Sequence, residues 1–185
     1  MSEAELLTRA ALVAAEAHKG QTRKGGSVPY VNHVIEVAHL VAEAGGTPEM
    51  VAAAFLHDTV EDSEATRETV EADFGSCIAT LVAGLTDAPD WRSLPRAERK
   101  RRQAHHMARA PRAVRRIKIA DQTSNVRDVG RLPKGWAPDE ARAYIAGAAE
   151  VVDACRGADA ALEAAFDAAR AEALAHLDRR EQGGT

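Results

Sequence analysis

Apolar residues recur along this chain at intervals of three and four, the spacing of one face of an α-helix. No stretch shows the sustained alternation of a half-buried strand. Leu6, Leu7, Ala10, Val13, Ala14 and Ala17 form the first such face, in EAELLTRAALVAAEAH (3–18). The glycines and closing proline of KGQTRKGGSVP end it. YVNHVIEVAHLVAEAG (30–45) resumes the helical spacing and stops at Gly45-Gly46. TPEMVAAAFLHDTVED (47–62) is predicted as one helix, with Thr47 as N-cap and Pro48 at the first helical position. Shorter helices are predicted in SEATRETVEADFG (63–75) and SCIATLVAGLTDA (76–88), followed by a loop around Pro89 to Pro95. RAERKRRQAHHMARA (96–110) is a charged helix with one face in water, and PRAVRRIKIADQTSNVRDVG (111–130) is a longer one. Two helices over 138–157 and 158–180 close the chain, and 181–185 is expected to fray. The expectation is a single all-α domain over 1–180, a compact multi-helix bundle, with at most a brief hairpin in a loop.

Composition agrees with one globular core: 185 residues, 45% hydrophobic and 28% charged. A net charge of −4 argues against nucleic acid as a partner, which calls for a basic surface. The first residues carry acids and lack the basic start of a secretory signal. No apolar run approaches the roughly 20 residues of a membrane span. A cytoplasmic location away from membranes is therefore expected. Cys77 and Cys155 are not paired as CxxC, so they are read as buried reduced thiols and not as a zinc site. The amphipathic closing helices suit either core packing or a homo-oligomer contact.

One apolar run ends in charge. In AAAFLHDTVED (52–62), four of the last six residues are His57, Asp58, Glu61 and Asp62. Buried charge calls for a partner or a metal. On a continuous helix His57 lies under Glu61 and Asp58 under Asp62. His57 and Asp58 diverge by about 100° but can meet on one ion near the helix end. Imidazole with carboxylate suits Mn, Fe, Co or Zn. His33 and Asp121, each a polar group on a core-facing stretch, are the candidates to complete the set. Two nitrogens and two carboxylates leave open positions, as a catalytic metal requires. Glu61 and Asp62 then lie just beyond, one to accept a proton from water and the other to orient it.

Asn125 follows Asp121 by one turn and faces the same pocket. Arg23 and Lys24 sit in a glycine-containing loop, and Arg99, Lys100, Arg101 and Arg102 give a second supply of cations for phosphate. Together these features point to hydrolysis of a phosphate ester or anhydride. His18 is read as hydrogen-bonding near the site without ligating. His39 is read as structural; His105, His106 and His176 as surface groups; Trp136 and Phe166 as packing.

HKGQTRKGG…PYVNH, AAFLHDTVEDS and IKIADQTSNVRD, in that order, resemble the signature blocks of the HD-superfamily alarmone hydrolases. These are the hydrolase domains of RelA/SpoT proteins and the stand-alone small alarmone hydrolases. The likeness is greatest to the stand-alone, metazoan SpoT-like kind, and it continues through SLPRAERKRRQ, LPKGW and YIAGAAEVVDACRG. It implies an all-α HD-domain bundle with one divalent metal per subunit, Mn2+ by preference, with Zn2+, Fe2+ or Co2+ in its place. It implies removal of the 3′-pyrophosphate from (p)ppGpp, giving GDP or GTP and pyrophosphate. By the resemblance His33, His57, Asp58 and Asp121 hold the metal, while Glu61 and Asp62 activate water. Arg23 and Lys24 meet the base and phosphates, and Asn125 the ribose or nucleotide. Tyr144 contacts the nucleotide, and Lys100 the phosphates.

The chain departs from the family where Gln122 replaces a cation and Thr123-Ser124 replace a larger pair, and in RKGGSV. These changes are expected on the substrate side. An adenine alarmone or the 2′-phosphate of NADPH is the alternative substrate, and a non-catalytic nucleotide sensor the rival from another class.

Overall fold

The computed structural model describes residues 1–131 and 133–182. Among them the regular structure is helical, with one isolated antiparallel bridge, Thr22 to Pro29, in the glycine-containing loop. Helix α1 (Glu3–Ala17) starts with a capping box: the Ser2 hydroxyl accepts from the Glu5 amide while the Glu5 carboxylate accepts from the Ser2 amide. Then come α2 (Val31–Glu43) and α3 (Pro48–Leu56), the latter capped by Thr47, whose hydroxyl accepts from the Met50 amide. Next are α4 (Thr59–Asp62), α5 (Arg67–Phe74) and α6 (Ser76–Leu85). The predicted loop after α6 contains a 3-10 turn, Pro89–Ser93. Helices α7 (Arg96–Met107), α8 (Arg112–Gly130), α9 (Pro138–Asp153) and α10 (Ala160–Gln182) complete the chain. Helix α10 thus enters the stretch expected to fray, and 183–185 lie outside the described residues.

Helix α8 is the axis of the fold. It packs against α10, α2, α9, α6 and α3. At Gly130 a Cβ would sit 2.4 Å from that of Ala173, so α8 and α10 approach more closely than a larger residue permits. Ile117, Ile119 and Val126 are fully buried, each stabilising the core by about 1.5–3 kcal/mol. The same helix also buries Lys118, Asp121, Gln122, Thr123 and Ser124. Polar groups so placed are costly unless paired, and their pairing builds the site.

Two expectations need correction. The helix predicted over 47–62 breaks: α3 ends at Leu56, and Asp58, with φ −98° and ψ −4°, precedes a new turn. The His57 ring bonds the Ala54 carbonyl at 2.8 Å, and the Thr59 hydroxyl donates to that of Leu56 at 2.6 Å. An uninterrupted helix reserves those acceptors for the amides of Asp58 and Val60, so side chains here compete with the ladder. Cys77 is exposed on the first turn of α6, not buried; Cys155 is buried as expected. Among the described residues no helix is long and apolar enough to cross a membrane.

Candidate active site

The break in the third predicted helix turns two sequence neighbours toward each other: His57 Nε2 lies 3.0 Å from Asp58 Oδ2. His33, near the start of α2, brings its Nε2 to 3.6 Å from Asp58 Oδ2 and 3.5 Å from Asp121 Oδ1. Asp121, from the middle of α8, also stands 3.9 Å from His57 Nε2. The nearest donor atoms of His33, His57 and Asp58 all fall within 4.8 Å of one another. Neither Nε2 has a hydrogen-bond partner, although both are buried. Such nitrogens, facing carboxylates, fit a divalent transition metal.

The electrostatics agree with that fit. Burial opposes a charged imidazole at His57, but the carboxylates of Asp58 and Asp121 outweigh it and raise the group to about 9. Burial likewise opposes ionisation of Asp58 and Asp121. His57 and His33 overcome it for Asp58, and Lys118 with the two histidines for Asp121, so both stay well below the usual carboxylate range. The pocket attracts positive charge. Further donors fix the carboxylates. The Tyr30 hydroxyl donates to Asp58 Oδ2 at 2.6 Å, the Asn125 amide to Asp121 Oδ1 at 2.5 Å, and the Gln122 amide to Asp121 Oδ2 at 2.9 Å.

Asp58 and Asp121 form part of the floor of a cleft of about 760 Å³. Glu61 and Asp62 stand on its wall, on the turn after the break. The Asp62 amide donates to the Asp58 carbonyl at 2.9 Å, so Asp58 keeps its place one turn before Asp62, while the break separates His57 from Glu61. The Glu61 carboxylate accepts from the Asp87 amide at 2.6 Å, and burial raises it to about 7. Burial, then the Asp58 charge, also raises Asp62. Arg23 pairs with Asp128, donates to Asn125 Oδ1 at 2.7 Å and lies over the Tyr30 ring. Lys24 lines the cleft mouth; burial and the neighbouring Arg96 and Arg99 lower it. Gly25, with φ +75° and a notional Cβ 2.3 Å from the Lys134 carbonyl, lets this loop press against the segment before α9.

Lys100 is buried, and its ammonium donates to Gln122 Oε1 at 2.6 Å and lies 4.9 Å from the centre of the Tyr144 ring. Tyr144 meets Trp136 edge-on at 5.6 Å, and the Arg96 guanidinium covers both rings. Trp136, read from sequence as packing, therefore also lines the cleft. Phe166 is core.

Only Gln122 of the divergent triplet faces the cleft. Thr123 and Ser124 are fully buried behind it. Sequence reading missed Lys118, 3.0 Å from Asp121 Oδ2, and Tyr30. A lysine inside the apolar IKIA run, one turn before Asp121, was the available signal. His18 bonds Gln21 at 2.9 Å and stacks on Tyr30, at the edge of the site. His39, His105 and His106 are exposed.

A family model described as the HD domain matches residues 10–146. The chain is 40% identical over 154 residues to the guanosine-3′,5′-bis(diphosphate) 3′-pyrophosphohydrolase MESH1 of Danio rerio, covering 81% of this chain and 84% of that one. It is 38% identical over 180 residues to the Homo sapiens protein of the same name, covering 95% and 94%. A solved structure of a metazoan orthologue of SpoT, described as hydrolysing ppGpp and acting in starvation responses, matches with a TM-score of 0.83. Its identity is 38%, and the match covers 91% of this chain and 96% of that one. The order of His33, the His57-Asp58 pair and Asp121 along the sequence, their convergence beneath one cleft and these likenesses agree, and the chain belongs to the HD domain family.

Proposed function

We propose that this protein is a metal-dependent phosphohydrolase that removes the 3′-pyrophosphate of guanosine (p)ppGpp, giving GDP or GTP and pyrophosphate. The relatives named above support the substrate class. One observation carries the chemistry. The unpartnered Nε2 atoms of His33 and His57 face the carboxylates of Asp58 and Asp121 beneath a cleft walled by Arg23, Lys24 and Lys100. His33, His57, Asp58 and Asp121 would hold one divalent ion, Mn2+ in this reading, with Zn2+, Fe2+ or Co2+ suited to the same donors. When bound, the ion supplies Lewis acidity, which lowers the pKa of water and offsets charge on phosphoryl oxygens.

Glu61, raised to about 7 by burial, suits a group that takes a proton from the attacking water at neutral pH. Asp62 orients that water. The water oxygen bonds to the phosphorus esterified to the ribose 3′-oxygen. The bond from that phosphorus to the 3′-oxygen breaks, the 3′-oxygen takes up a proton, and pyrophosphate keeps the oxygen of the water. Lys100 and Lys24 meet the phosphates. Arg23, Asn125 and Tyr144 meet the nucleoside.

The same reaction on an adenine alarmone, or on the 2′-phosphate of NADPH, is the second reading. It is favoured by Gln122, a neutral amide on the cleft wall in place of a cation. The test is product release from ppGpp, pppApp and NADPH side by side, with Mn2+ and with chelator. Mn2+-dependent pyrophosphate from ppGpp is the expected result. Turnover of another nucleotide alone keeps the chemistry and moves the substrate. Tight binding without product from any of them favours a nucleotide sensor.

A further inference from the structure

The two candidate histidine ligands are oriented by different means. His57 bonds a backbone carbonyl, that of Ala54, which can only accept. In the neutral ring Nδ1 therefore carries the proton and Nε2 the lone pair. His33 Nδ1 instead meets the Ser124 hydroxyl at 2.9 Å. A hydroxyl both donates and accepts, so serine alone fixes nothing. Behind it, Glu36 resolves the ambiguity. The Ser124 hydroxyl donates to Glu36 Oε2 at 2.7 Å, and the Arg127 guanidinium donates to Glu36 Oε1 at 2.7 Å. A carboxylate held by an arginine accepts only. The Ser124 proton is thereby committed to Glu36, and its lone pair is left for His33 Nδ1–H. Without Glu36 the hydroxyl can rotate and donate to Nδ1, which puts the imidazole proton on Nε2, on the side facing Asp58 and Asp121.

We infer that Glu36 and Ser124 are positioning residues, a two-step hydrogen-bond relay that locks the His33 tautomer and presents its Nε2 lone pair to a metal ion. Glu36 lies on α2 one turn beyond His33, and Ser124 lies on α8. The relay therefore also ties the two helices that bring His33 to Asp121. Ser124 stands at one of the positions where this chain departs from the family block, and the relay gives that departure a role: a small side chain leaves room for a carboxylate behind it. Partners behind a metal-ligating histidine typically change metal affinity about 10–100-fold.

The inference rests on the metal-site reading above, and the experiment separates the two. In the metal-free protein at pH 9, nitrogen-15 imidazole spectra assign the His33 tautomer. Metal affinity is measured by competition between protein and a chromophoric chelator for Mn2+ and Zn2+. Wild type, Glu36→Gln, Ser124→Ala, the double variant and His57→Ala are compared. The Glu36 side chain is 32% exposed, so Glu36→Gln opens no cavity. The expected result is the Nδ1–H tautomer in wild type, a shift toward Nε2–H in both single variants, and an affinity loss of about tenfold or more in each. The double variant should lose no more than the worse single one, because both act through one chain. A wild-type Nε2–H tautomer overturns the relay, as does affinity and tautomer unchanged within twofold in both single variants. If wild type binds neither ion and His57→Ala changes nothing, the metal reading fails, while the tautomer spectra still decide whether the relay exists.

Discussion

Lys118 Nζ lies 3.0 Å from Asp121 Oδ2, one turn earlier on α8, and both side chains are buried. The pair is what allows a carboxylate to remain ionised in the centre of the bundle. Lys118 answers the buried Asp121 charge and leaves the partly exposed Asp58 for a cation, and Asp58 is the main group that raises His57. Lys118→Met should leave Asp121 without its partner and destabilise the metal-free fold by about 3–5 kcal/mol. Urea denaturation with chelator measures this, and added Mn2+ should recover part of the loss. A change below about 1 kcal/mol in chelator counts against the pairing argument.

His57→Ala and Asp58→Ala should each abolish retention of a divalent ion and turnover. His57 has its carbonyl bond to Ala54 as a further local role, so far-ultraviolet circular dichroism must accompany metal analysis. Substantial turnover in either folded variant rejects the ligand assignment.

Glu61 gives a pH prediction with a definite sign. Burial raises its pKa from 4.5 to about 7 in the fold. Between those values the unfolded carboxyl has ionised and the folded one has not. Its contribution to stability is therefore present below about 4.5, is lost as pH rises toward 7, and is level above that. Gln cannot ionise and can still accept from the Asp87 amide. Glu61→Gln should then raise the melting temperature of the metal-free protein over wild type, by a margin that grows from pH 4.5 to 7 and then holds. The same variant should lose about 10²–10⁴ in kcat. A constant margin at all pH values contradicts the burial argument.

Lys100 should act on substrate and not on metal. Burial lowers its pKa to about 7, with Asp121 pulling the other way. Its ammonium form thus prevails on the acid side. Lys100→Met should raise KM about 10–100-fold, the worth of a charge-assisted hydrogen bond, with unchanged metal affinity by calorimetry. Wild-type KM should rise as pH passes through about 7, and the variant should show no such rise. Equal KM in both proteins removes Lys100 from phosphate binding.

The sequence alone determined the helical class and most element positions, because the spacing of apolar residues is a local property imposed by 3.6 residues per turn. It also singled out the blocks proposed to carry chemistry, since His33, His57-Asp58 and Asp121 interrupt stretches that otherwise belong to a core. Tertiary structure decided how those blocks meet. The break at His57-Asp58 arises from side chains competing for backbone acceptors, a contest that periodicity does not record. Ser124 bonds His33 across 91 residues of chain and Glu36 across 88, while Lys100 bonds Gln122 across 22. Such pairings depend on the rotation and approach of packed helices, as at Gly130 against Ala173. That is why Ser124 read as a change beside the substrate, whereas packing buries it behind a histidine.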